Sequence, residues 1–362
     1  MLDDSELGMT AADPKATPVA RRPRFLRRRT LFIGAGLLIV VATFAFVLPR
    51  VANYGDVWEV LRDLTWEQLL VLAVATALNI VTFAPPFMAV LPGLRFTRAL
   101  VVTQASTAST YVAPGGAAVG VALSFTILRS WGFRASAVTL AVALTGVWNQ
   151  LFMLGAPAVA LALLTLAGGS NPLLQTVAAI GLAVFIGAIV VFGAALSGDR
   201  VAQWAGDLAA RLASWGLRRI RRAPVGWSGL ALVEFRRRAV GLLRRRWWAL
   251  TFGTIAGQMT VFLVLLVCLR TLSVSSSEVS VVEAFAAWTL VRLLGSLPFT
   301  PGGIGVVELG LTGALVGFGG NNAGVVAAVL LYRFLTMIPT LAIGLVCMAV
   351  WNRLRPAAAG AG

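Results

Sequence analysis

Six apolar stretches, 31–48, 66–91, 136–166, 173–196, 247–270 and 323–350, divide this 362-residue chain. Each comes close to or exceeds the ~20 residues a helix needs to cross a ~30 Å hydrocarbon core. In that solvent a backbone is satisfied only inside a helix or a closed barrel. The short alternating segments of a barrel are absent. The expected fold class is therefore an all-α polytopic membrane protein. Composition agrees: 59% of residues are hydrophobic and 12% charged, against about 45–50% and 25% in soluble domains.

The formal net charge is +16, from thirty basic residues. Their placement argues for membrane topology and against nucleic acid. Arginines gather at span ends (Arg21 to Arg29, Arg95 and Arg98, Arg129 and Arg134, Arg353 and Arg355) and in the segment 199–246, where twelve face Asp207 and Glu234. Basic residues mark the cytoplasmic side. Residues 1–29 then form a disordered cytoplasmic arm, and 351–362 a cytoplasmic tail. The implied location is a bacterial cytoplasmic membrane with both termini inside. Stretch 31–48 lacks a small-residue cleavage site after it, so it reads as a retained span rather than a signal peptide. Val201, Trp204, Leu208, Leu212 and Trp215 repeat at helical spacing beside Arg211, Arg218 and Arg219. That pattern reads as an amphipathic helix on the anionic inner leaflet, or as a plain topology anchor.

The chain has no histidine, and its two cysteines, Cys268 and Cys347, lie in apolar stretches. Without a carboxylate cluster either, no metal, cofactor or histidine-dependent acid–base chemistry is expected. A Gly-rich, lysine-containing nucleotide loop is missing too, which argues against direct ATP drive.

Two interruptions carry the most information. Tyr111-Val112-Ala113-Pro114-Gly115-Gly116 and Pro298-Phe299-Thr300-Pro301-Gly302-Gly303 each place Pro and Gly inside apolar sequence, with 187 residues between Pro114 and Pro301. Proline removes a helix donor and glycine loosens the backbone, so both should break a helix. The arms of the first hairpin, 97–113 and 117–129, would be about 25 and 20 Å long, short of a full crossing. The expectation is about six full transmembrane helices plus two broken re-entrant hairpins, 97–129 and 282–318. Within a transmembrane domain 30–350, repeat one (66–166) and repeat two (247–350) align. The linking helix 173–196 and the basic cytoplasmic loop 199–246 lie between them. The hairpins enter from opposite faces, an inverted-topology repeat of the kind common in secondary transporters.

At such breaks the N–H groups of Gly115, Gly116, Gly302 and Gly303 favour an anion. Carbonyls freed before Pro114, Pro298 and Pro301 would instead favour a cation, and a plain packed kink is the alternative to both. Glu308 stands in the apolar run after the second break, where a charge costs at least ~2.5–3.5 kcal/mol and needs a partner. Arg292 and Arg333 are the candidates. The pair is either structural, or one arginine is the phosphate ligand and Glu308 a gate or proton-coupling group. In the first repeat, Gln104, Ser106, Thr107, Ser109, Thr110 and Tyr111 line a polar cavity or join helices. Trp148-Asn149-Gln150 has the same two readings, and Gly313 and Gly317 form a close-packing motif.

The run Leu297 to Glu308, with Arg292 before it and Tyr332-Arg333 after, resembles the lysylphosphatidylglycerol synthase transmembrane-region family of flippase-like integral membrane proteins. Pro114 to Gly120 and Leu128-Arg129-Ser130-Trp131-Gly132 are similar to its matching segment. The resemblance covers roughly 30–350. It implies movement or presentation of phospholipids, aminoacylated phospholipids or lipid-linked glycans. It also implies a membrane lipid as partner, with a second copy or a lipid-modifying enzyme as protein partner. Ala117 and Ala118 stand where many members carry a charge, which shifts the expected chemistry to the second break. The chain ends at Gly362 without a synthase domain, so transport rather than catalysis is expected. A membrane transferase with Glu308 as base, and a non-transporting scaffold, are the rivals.

Overall fold

Every regular element among the described residues is helical. The computed structural model describes residues 62–112, 116–166, 172–219, 229–296, 301–303 and 305–354. The N-terminal arm, stretch 31–48, Pro114, Gly115, Pro298 and most of the tail fall outside them. Five segments are long and apolar enough to cross a membrane: Trp66–Val90, Ala135–Leu166, Ala179–Ser197, Leu232–Thr271 and Asn322–Val350. Each coincides with one of the apolar stretches, and the sixth, 31–48, is not among the described residues.

The first segment is two helices, α1 (Trp66–Thr82) and α2 (Ala84–Val90). Thr65 caps α1 in a reciprocal box with Gln68, whose Oε1 accepts the Thr65 N–H at 2.9 Å. Pro85 and Pro86 fall in the first turn of α2, where missing donors cost least. The segment is therefore divided at Phe83. Next come α3 (Phe96–Val112) and α4 (Gly116–Ser130), the arms of the first break. Two long helices follow, α5 (Ala135–Leu166) and α6 (Pro172–Ser197).

The basic connecting segment 199–246, in which an amphipathic helix is expected around 201–215, is mostly helix. It contributes α7 (Asp199–Arg219) and the first part of the 43-residue α8 (Gly229–Thr271). Arginine is a good helix former, and 229–246 holds no proline, so this basic stretch continues into the apolar helix that follows it. The second break separates α9 (Val281–Gly295) from α10 (Val306–Gly317), and α11 (Asn322–Val350) closes the fold. Glu283 accepts the Ser280 N–H at 2.8 Å and so caps the start of α9.

Packing couples the two halves. Gly253 of α8 lies against Pro86 and Gly257 against the Thr82 carbonyl, so α8 runs antiparallel to α1–α2. Helix α3 packs on α11, while α9 packs on α5. Each break thus sends its first arm to the last long helix of the opposite half. At the α3–α11 contact Gly344 touches Ala108 and the Gln104 carbonyl so closely that a Cβ would collide with both. Gly313 and Gly317 have no neighbour among the described residues within 4 Å of where a Cβ would stand.

Polar side chains tie helices together, as they do in lipid, where apolar burial between helices supplies little drive. Thr82 and Thr260 hydroxyls meet at 2.8 Å, and Trp148 Nε1–H donates to Thr251 Oγ1 at 2.8 Å. Gln258 donates to Asn149 Oδ1 at 2.6 Å. Two members of the Trp148-Asn149-Gln150 trio are therefore helix–helix joints.

Candidate functional site where the two breaks meet

Between α9 and α10 the chain turns through a short 3-10 turn, Pro301–Gly303. Gly302, Gly303 and Gly305 have φ of 64°, 69° and 85°, a left-handed backbone that L side chains resist. Gly302 has a second reason to be glycine: a Cβ there would stand 2.8 Å from Tyr111 Cδ1. Tyr111 belongs to the last turn of α3, just before Pro114. The two interruptions, so far apart in sequence, thus touch through Tyr111 and Gly302.

The carboxylate of Glu308 is 1% exposed and sits in the first turn of α10. Its Oε2 accepts the Gly305 N–H at 2.6 Å, and its Oε1 accepts from Arg333 Nε at 2.5 Å. Arg333, 8% exposed, also donates from Nη2 to the Gly302 carbonyl at 3.0 Å. The anion at the start of α10 is therefore the protein's own side chain. That revises the expectation for Gly302 and Gly303, because Glu308 takes the place at the helix N-terminus where an external anion would bind. It also selects Arg333 as the partner of Glu308. The ion pair, the cap and the carbonyl bond together fix the second break.

Arg292 is in a different state. It lies half-buried in the last turn of α9, with Cζ 5.1 Å from the centre of the Trp288 ring four residues earlier. Among the described residues its buried Nε has no hydrogen-bond partner. No described carboxylate pairs with it. Trp288 Nε1–H donates to the Tyr332 hydroxyl at 3.2 Å, fixing the ring on which Arg292 rests. A half-buried cation with an unsatisfied donor thus stands in the last turn of the helix that leads into the second break. Leaving such a donor unmet costs about 1–3 kcal/mol, which an anionic ligand would recover.

The first break is organised by close contact rather than charge. Gly116 approaches the Thr110 carbonyl, and a Cβ on Gly120 would come within 2.8 Å of Thr110 Cγ2, so α4 folds tightly onto α3. Thr103, Ser106, Ser109 and Thr110 donate to carbonyls three residues earlier in α3. Their hydroxyl donors are thus spent within their own helix. Gln104 does reach across, to the Ile80 carbonyl of α1 at 3.0 Å. Beyond α4, a groove of about 670 Å³ opens between α4, α5 and α6, lined by Val121, Phe125, Val142, Gly146, Gln150 and Phe192 among others. Gln150 of the trio therefore faces this groove.

Of the residues expected at the site, Arg292, Gly302, Gly303, Glu308 and Arg333 come together around the second break. Pro301 is in the turn, and Gly116 opens α4. Sequence reasoning missed Trp288, whose i, i+4 spacing from Arg292 was the available signal. It also gave Tyr111 no part in joining the two breaks.

A family model, lysylphosphatidylglycerol synthase TM region, matches residues 33–344. The chain belongs to that family. The match spans both breaks and includes Arg292, Glu308 and Arg333. No curated protein matches the chain. Family membership and the apolar helices together make this a multi-pass integral membrane protein of lipid metabolism or transport.

Proposed function

We propose that the chain is a lipid flippase of the bacterial cytoplasmic membrane, with both termini in the cytoplasm. It binds the anionic headgroup of a phospholipid, aminoacylated phospholipid or lipid-linked glycan where the two breaks meet. One observation carries the reading: Arg292, in the last turn before the second break, is a half-buried cation whose Nε has no partner and which has no counter-charge among the described residues. Arg333 is already neutralised by Glu308, so it joins the headgroup only when that pair opens. The exchange of partners between halves, α3 on α11 and α9 on α5, is what an inverted repeat would produce. Two re-entrant hairpins that end against each other suit alternating exposure of one shared site.

The apolar groove between α4, α5 and α6 suits an acyl chain of the same lipid. Gly146 in its lining has open space above it. Gly146→Leu is therefore expected to leave thermal stability within about 0.5 kcal/mol of wild type and to slow movement of long-chain lipids more than short-chain ones.

A non-catalytic role fits the site better than the transferase alternative. Glu308, the buried carboxylate beside the break, is committed to Arg333 and the Gly305 N–H and is poorly placed to act as a base. The test is transbilayer movement of a panel of fluorescent phospholipids in proteoliposomes, with mass spectrometry of the lipids afterwards. Wild-type movement of anionic lipids without new covalent products supports the flippase. No movement of any lipid, or the appearance of a modified lipid, would overturn it.

A further inference from the structure

The helix that follows the linking span, α7, presents two opposite faces. At 100° per residue, Ala202, Gly206 and Ser214 share one side, and all three are buried. This small-residue face docks the helix, and α7 packs against α8 and α6. On the opposite side stand Val201, Trp204 and Leu208, 39%, 62% and 36% exposed, with exposed Trp215 continuing the line. Arg200 and Arg211 run along the edge of that stripe, both exposed.

A latch fixes the angle at which α7 leaves α6. Asp199 accepts from Arg236 at 2.5 Å and from Arg237 at 2.8 Å, while Arg236 also donates to the Leu196 carbonyl at 2.8 Å. Glu234 is likewise taken, by Arg238 at 2.8 Å. With those carboxylates neutralised, Arg200, Arg211, Arg244, Arg245 and Arg246 have no described ion-pair partner. Immediately after Arg246 come exposed Trp247 and Trp248, with ring centroids 3.7 Å apart. A basic cluster followed by tryptophans marks a headgroup boundary. Helix α7 docks on the same α8 that carries it.

From this we infer that α7 is an interfacial lipid-binding surface. Val201, Trp204 and Leu208 enter an anionic leaflet, while Arg200 and Arg211 meet its headgroups. The apolar stripe supplies insertion, and the arginines supply preference for anionic lipid, about fivefold in affinity for each. A protein partner fits this surface less well, because the stripe is narrow and is edged by arginines with no described ion-pair partner.

The experiment places an environment-sensitive bimane probe on Leu208→Cys and, separately, on Gln203→Cys, an exposed position nearer the docking face. Cys268 and Cys347 are buried, so labelling is directed to the new thiol. Reconstituted into vesicles rich in phosphatidylglycerol, the probe at 208 should be quenched by brominated acyl chains and spared by iodide, and the probe at 203 should show the reverse. Replacing the anionic lipid with phosphatidylcholine should weaken brominated-chain quenching at 208. Arg200→Gln with Arg211→Gln should abolish that lipid preference; both residues are exposed, so folding should be kept. Iodide quenching at 208 in anionic vesicles, or protection there from both quenchers, would overturn the inference. So would full anionic preference in the double arginine variant. None of these readouts depends on transport.

Discussion

Arg333 and Arg292 flank the same break, yet the fold treats them oppositely. Arg333 is enclosed: its Nε meets Glu308, its Nη2 meets the Gly302 carbonyl, and 8% of its surface is exposed. Arg292 is partly open, rests on Trp288, and keeps a buried Nε without a partner. The contrast teaches how an intramembrane charge is used. One arginine is consumed by structure, holding a glycine-rich turn against α11. The other has no counter-charge among the described residues, and it is there that the proposed headgroup would bind. Guanidinium suits both roles, because it stays ionised and offers a planar fork of donors to carboxylate or phosphate.

The largest effect expected from breaking this contrast is at Glu308. Glu308→Gln leaves Arg333 buried without its counter-charge, a loss of about 3–5 kcal/mol. Thermal unfolding in detergent should fall well below that of wild type. Joint replacement by Glu308→Leu and Arg333→Met should recover most of the deficit. Arg292→Ala, by contrast, should unfold within about 1 kcal/mol of wild type, because no ion pair is broken. Equal destabilisation by the two single changes would erase the distinction.

A smaller effect is expected at the turn itself. Gly302→Ala must adopt a left-handed backbone, which costs about 1–2 kcal/mol, and must also press on Tyr111. Adding Tyr111→Ala should remove the contact part of that loss and leave the backbone part. Unfolding measurements on the single and double variants separate the two.

The smallest effect should come from Asp199, where the same kind of ion pair is exposed. A hydrogen bond from Arg237, with the charges of Arg237 and Arg236, holds the Asp199 carboxyl below its ordinary value. A lowered folded value means that the latch stabilises above the unfolded carboxylate pKa, about 3.9, and weakens as pH falls through the lowered one. Stability should therefore show no latch contribution to its slope between about pH 8 and 5. Asp199→Asn should flatten the acid limb and alter neutral stability little, as exposed pairs do.

Much of the scaffold was legible in the sequence, because hydropathy and proline position report on the solvent and the backbone directly. The five described spans and both breaks followed from them. In the basic segment 199–246 the amphipathic helix read from Val201 to Trp215 is present as α7, but the continuation of 229–246 into the long α8 was not read, and Asp199 drew no attention. The site was only half legible. Glu308 announced the need for a partner, but choosing Arg333 over Arg292 depends on how α11 packs beside the turn, a relation across 25 residues. The meeting of Tyr111 with Gly302 is longer in range still and leaves no local pattern. Hydroxyls of α3 that suggested a cavity bond within their own helix, a choice made residue by residue.

The account turns on whether Arg292 holds the headgroup. The direct measurement is transbilayer movement in proteoliposomes of an anionic phospholipid and a zwitterionic one with identical chains, for wild type, Arg292→Lys and Arg292→Ala. The expected result is loss of about tenfold or more for the anionic lipid with alanine, partial retention with lysine, and unfolding temperatures near wild type throughout. Movement of the anionic lipid at the wild-type rate by a folded Arg292→Ala protein would contradict it.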